Sequence, residues 1–117
     1  MKLFQNRLIL YWKIGKDVYE KNKLYDNVIE KYSEYYTYLF GNSFLFTREN
    51  IHFMKRFYLN FPIFYSSLEK ISWEQYKLLL GIYNRDERNF YFQLSLLFES
   101  DYDETVDFIK NQYYLRI

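Results

Sequence analysis

Apolar residues along this chain return every three or four positions, not every two, so the pattern is one of helices that each bury a single face. Tyr11, Ile14 and Val18 form one such stripe. Val28, Tyr32, Tyr35 or Tyr36, and Leu39 form a second, and Ile51, Met54, Tyr58 and Phe61, widened by Phe57, a third. Phe90, Leu94 and Leu97, flanked by Phe98, make a further face near the C-terminal end. "LILYW" at 8–12 is apolar around most of a turn, which predicts burial between several helices. No stretch alternates cleanly enough for a strand, and no Asn-Gly or Asp-Gly hairpin turn occurs.

Helix starts are marked by side chains able to accept from the first, otherwise unpartnered, backbone N–H groups. Asn27, Thr47, Ser72, Asn84 and Asp101 each precede a helical pattern. Gln75, Glu87 and Glu104 stand three residues after the last three of these, where a capping box needs them. Gly41 and Pro62 mark two ends. The result is an all-α chain of six helices, near 3–21, 27–40, 47–61, 72–83, 85–99 and 101–114, with a short helical turn around 63–69. They are expected to form one compact bundle over residues 1–117, in which 27–61 makes a helix-turn-helix-like unit.

Composition sharpens this picture. The 117 residues include fifteen Tyr, twelve Phe and two Trp but no Ala, so large rings must fill positions that Ala and Leu usually share. Tyr hydroxyls need partners, which places many rings at the core boundary. On the second helix Tyr35, Tyr36 and Tyr38 cannot all point inward, so they are candidates for an exposed partner-binding patch. No apolar run approaches the ~20 residues of a membrane span, and no secretory signal opens the chain, so a cytoplasmic protein is expected. The absence of Cys removes disulfides and thiolate metal sites. His52 is the only His, which leaves no Zn site of the usual kinds and nothing to mark a nucleophile–base pair. No cofactor or metal site and no enzymatic activity are expected.

Net charge is only +1, but its distribution is uneven. Residues 1–24 carry a local +4 and residues 99–117 a local −3. The acidic "ESDYDETVD" lacks the glycine a Ca²⁺ loop requires, and most of its charge suits the positive end of a helix. It could equally grip a basic partner. On the third helix Arg48, His52 and Lys55 form an outward stripe with Arg56 beside it. Two readings of that stripe stay open. It is the solvated side of an amphipathic helix, or a recognition helix with Arg48 and Asn50 near base edges and Lys55 and Arg56 on phosphates. Lys13 and Lys16 would extend the basic surface if the first helix packs beside the third.

Five motifs in order, "LYWKIGK" at 10–16, "VIEKYSEYY" at 28–36, "LFGNSFLFTRENIHFMKRFYLNFP" at 39–62, "ISWEQYKLLLGI" at 71–82 and "ERNFYFQLSLLF" at 87–98, resemble the N-terminal helical domain of YhcG-like proteins. In that family the domain precedes a PD-(D/E)XK nuclease domain. The resemblance implies a helix-turn-helix-like module that contacts DNA on behalf of a nuclease. Three departures stand out. No Asp or Glu is followed two residues later by Lys, so the nuclease's Mg²⁺-holding signature is missing from these residues. Glu49 sits where the family tends to pair basic residues, and the acidic "ESDYDETVD" replaces a less acidic segment that usually carries a Trp. Three functions follow as expectations: a DNA- or RNA-binding module; a protein-binding module, as homodimer or as a mobile-element inhibitor or adaptor of a nuclease or nucleic-acid-guided defence effector; or a piece of a longer nuclease, since "YYLRI" ends within a helical pattern.

Overall fold

A computed structural model describes residues 7–22, 27–41 and 44–116. Six α-helices run α1 Arg7–Lys21, α2 Val28–Phe40, α3 Arg48–Asn60, α4 Trp73–Leu80, α5 Arg85–Leu97 and α6 Tyr102–Lys110, with 3₁₀ turns at Ser66–Lys70 and Tyr113–Arg116. The described residues contain no strand. The expected start of the first helix, near residue 3, lies outside them. The chain divides into two compact units, Met1–Phe64 and Tyr65–Ile117.

In the first unit α1 and α3 are the most extensively packed pair. Tyr11, Ile14, Gly15 and Val18 of α1 are buried, as are Ile51, Met54 and Phe57 of α3. Gly15 permits the approach: a Cβ there would lie 2.0 Å from the Met54 carbonyl oxygen and 3.0 Å from the Lys55 nitrogen. Those neighbours are backbone and cannot swing aside. Trp12 closes one edge, its indole N–H donating to the Phe61 carbonyl at 2.7 Å and its ring meeting Tyr58 and Phe64 edge-on. Pro62 follows, and the α3 helix has ended.

Helix α2 departs from expectation in two ways. Asn27 adopts a left-handed backbone (φ 60°) and its side chain makes no cap, although its carbonyl accepts from Lys31 N–H. Asn tolerates that conformation better than most residues. The inward stripe also turns: Val28 is buried, Leu39 is exposed, and Tyr36 and Phe40 face the interior side. The cause is Phe46, a buried loop residue held because Ser33 Oγ donates to its carbonyl. Tyr36 and Phe40 stack on the Phe46 ring at 5.4 and 5.3 Å. Gly41 ends the helix at φ 67°, a left-handed turn that suits glycine.

The second unit is built around a polar network. Ser72 and Gln75 form the expected capping box, and Gln75 is itself buried. Its Oε1 accepts from Ser72 N–H while Nε2 donates to the Ser100 carbonyl (2.8 Å) and to Thr105 Oγ1 (3.0 Å). Thr105 donates to the Asp101 carbonyl, so the Ser95 hydroxyl, 3.0 Å away, donates to Thr105. One glutamine thus ties α4 to α5 and α6 with every amide atom used. This network explains the corrected face of α5. Tyr91, Phe92 and Ser95 point inward, and Leu97 and Phe98 of the expected stripe are 75% and 61% exposed. A small polar residue facing inward shifts the helix from the face that counting apolar positions selects.

Two helices stop earlier than their patterns suggest. Helix α4 ends at Leu80 rather than 83, the Arg88 guanidinium donates to the Ile82 carbonyl at 2.9 Å beyond it, and Tyr83 lies fully outside. Helix α6 ends at Lys110 and continues as the 3₁₀ turn, whose Tyr114 N–H donates to the Tyr91 hydroxyl. At the end of α5 the Glu99 and Ser100 N–H groups bond back to the Leu96 and Ser95 carbonyls. This is a Schellman turn, but its left-handed position holds Glu99 (φ 50°), where glycine is the usual occupant.

Candidate nucleic-acid interface

The outer side of α3 carries the candidate contacts. Thr47 caps the helix in an extended conformation, its hydroxyl accepting from Asn50 N–H at 3.1 Å. Asn50 then turns its side-chain amide back to the Phe44 and Leu45 carbonyls, at 2.8 and 3.3 Å. The amide donors that would read a base edge are therefore committed to the turn before the helix. Asn50 shapes the α2–α3 connection instead of reaching outward. Arg48 is exposed and lies 3.6 Å from Glu30 on α2, an ion pair that water screens almost fully.

His52 and Arg56 are exposed one turn apart, and Lys55 is half-buried beside them. The Arg56 guanidinium lies 5.4 Å over the Phe53 ring, which holds it close to the helix surface. On α1, Lys13 and Lys16 are exposed, and the Lys16 ammonium sits 5.7 Å from the Trp12 ring centroid. Because Gly15 touches Met54 and Lys55, Lys16 and Lys55 stand next to the crossing point of the two helices. Helix α1 thus packs beside α3, and the cations of both helices belong to one unit.

The tyrosine patch separates into two parts. Tyr35 and Tyr38 are 56% and 86% exposed, with Leu39 and Phe44 also outside. Tyr36 is part-buried: it stacks on Tyr32, Phe40 and Phe46, and burial raises its hydroxyl pKa above the ordinary tyrosine value. Lys31, Tyr32 and Tyr35 line an open groove of about 260 Å³. At its side the Lys21 ammonium donates to the Tyr32 hydroxyl at 2.9 Å, a bond that raises the lysine pKa. Sequence reasoning missed Phe46 and Ser33, which orient this helix. The signal available was a hydrophobic run, "FLF", in a connection otherwise expected to be polar.

A family model for the DUF1016 N-terminal domain matches residues 2–116, which is nearly the whole chain and both units. The chain belongs to the DUF1016 N-terminal domain family. DUF1016 is the YhcG-like nuclease family, so the five-motif resemblance is borne out. No curated protein and no solved structure matches the chain significantly. Among the described residues no three His, Asp or Glu side chains are grouped as metal ligands would be. No described helix is long and apolar enough to cross a membrane. What this DUF1016 N-terminal domain presents is exposed Arg48, His52 and Arg56 on α3, exposed Lys13 and Lys16 on the helix packed against it, and an aromatic edge on α2.

Proposed function

We propose that this domain is a non-catalytic, cytoplasmic nucleic-acid-binding module that uses a helix-turn-helix-like pair, α2 and α3. The observation that carries the reading is the cationic outer side of α3 beside Lys13 and Lys16 on the helix packed against it. His52, Lys55, Arg56, Lys13 and Lys16 contact phosphates. Arg48, at the helix start, is the residue left to reach a base edge, because Asn50 is committed to its turn. Exchanging the Glu30 pairing for a phosphate costs Arg48 little, since exposed pairs are worth about 0–1 kcal/mol.

The test is anisotropy of a labelled duplex across salt. Binding should weaken steeply between about 50 and 200 mM salt, with a log–log slope near −0.9 per phosphate neutralised. Lys55→Gln with Arg56→Gln should flatten that slope by about two contacts. No binding at low salt ends the proposal. A second reading, protein binding by an inhibitor or adaptor of a nuclease or nucleic-acid-guided defence effector, is favoured by the exposure of Tyr35 and Tyr38. Tyr38→Lys would abolish such a complex and leave duplex binding intact.

A further inference from the structure

The second unit carries an exposed aromatic ridge that the proposed nucleic-acid reading does not use. Phe98, at the end of α5, meets Phe108 of α6 at 6.2 Å, and Phe108 meets Tyr113 at 5.2 Å. Leu97 and Phe98 are mostly exposed, and Tyr113 is partly so. Exposed acids border this ridge: Glu99 follows Phe98 directly, and Glu104 and Asp107 lie on α6 beside Phe108. A run of rings edged by carboxylates fits a partner that presents aliphatic side chains next to cations.

That chemistry exists on the same chain. Along α3 and just past its end, His52, Arg56, Leu59 and Ile63 follow at four-, three- and four-residue steps, and all four are exposed. Cationic and aliphatic groups thus follow each other along α3 from His52 to Leu59, and Ile63 comes just after the helix. Charge is divided to match. Met1–Phe64 holds ten Lys and Arg against six Asp and Glu, a formal +4, while Tyr65–Ile117 holds six against nine, a formal −3. A near-neutral chain made of two oppositely charged units is self-complementary, and like units repel.

We propose that the chain associates with a second copy of itself head to tail: the α3 stripe of one copy seats on the α5–α6 aromatic ridge of the next. Leu59 and Ile63 cover Leu97 and Phe98, and Arg56 faces Glu99 and Asp107. Two helix faces make a small interface, so the contact is weak, in the range of tens of micromolar. The contact is heterologous, because it joins two different surfaces of the chain. Because it occupies α3, duplex DNA would compete with it, but association itself does not depend on the nucleic-acid reading.

Sedimentation velocity of the full chain tests this. From about 5 to about 200 µM the average sedimentation coefficient should rise at about 50 mM salt, and less at about 500 mM, where the Debye length is only a few ångström. Phe98→Lys, Arg56→Glu and Asp107→Lys should each remove the rise, with circular dichroism confirming that these surface variants stay helical. Mixing the Arg56→Glu and Asp107→Lys chains should restore it, because the unaltered α3 stripe of the Asp107→Lys chain meets the unaltered ridge of the Arg56→Glu chain, and at the other pairing the two reversed charges oppose each other. A chain that remains monomeric throughout, or association abolished by Tyr38→Lys but untouched by Arg56→Glu and Phe98→Lys, overturns the proposal. Failure of the mixture to recover overturns it as well.

Discussion

The two units reach a helical core by opposite means. In Met1–Phe64 two helix backbones touch across a glycine and aromatic rings fill the remaining space. In Tyr65–Ile117 the helices are joined through a buried glutamine whose amide nitrogen and oxygen are both hydrogen-bonded. The first solution depends on shape and tolerates no added atom at one point. The second depends on pairing and tolerates no lost partner. Each unit also holds one tryptophan, Trp12 and Trp73, so Trp73→Phe and Trp12→Phe backgrounds report on the units separately.

The largest effect expected is from Gly15→Ala. Its Cβ would overlap the Met54 carbonyl, and a backbone-on-backbone clash should cost about 3 kcal/mol. The urea midpoint read by Trp12 should fall more than that read by Trp73. Equal shifts would mean that the units unfold together and differ only in how their cores are built. Gln75→Leu should cost about 2 kcal/mol, because the Ser72 N–H loses its acceptor and the Ser100 carbonyl its donor. Here the signal from Trp73 should move first.

Alkali sharpens the same contrast. Tyr76 is buried with its hydroxyl donating to the Leu68 carbonyl, and burial pushes its pKa far above the ordinary tyrosine value. The folded state keeps a proton that the unfolded chain releases near pH 10. Its contribution is complete below that pH and falls above it by about 1.4 kcal/mol per pH unit. Urea titrations from about pH 9 to 11 should show that slope, and Tyr76→Phe should flatten it. Tyr36 shifts in the same direction for the same reason but is partly exposed, so the first unit should respond less. The smallest effect is a gain. Glu99→Gly removes a left-handed glutamate from the end of α5 and should raise stability by about 0.5–1 kcal/mol, seen as a higher melting midpoint.

Most of the helical framework was legible because capping is local chemistry. Thr47, Ser72, Asn84 and Asp101 all accept the N–H expected of them. Asn27 was not legible: the same residue type serves as a cap or as a left-handed turn, and its neighbours in space decide which. The face of α5 was hidden because inward-facing Ser95 looks polar in sequence, and its partner Thr105, itself held by Gln75, lies on another helix. The left-handed turn at Glu99 escaped notice because glycine is the residue that announces such turns. At the candidate interface the cationic stripe of α3 could be read from spacing alone. The diversion of the Asn50 amide could not, since it depends on where the carbonyls of residues 44 and 45 fall.

The close contact at Gly15 also limits how this sequence can drift. Any codon change that replaces that glycine adds at least one carbon where Met54 already stands. Descendants can exchange the rim tyrosines or reverse a surface charge one step at a time. A larger residue in place of Gly15 would press the two helix backbones apart, together with the lysines they carry, so the spacing of those helices hangs on one codon.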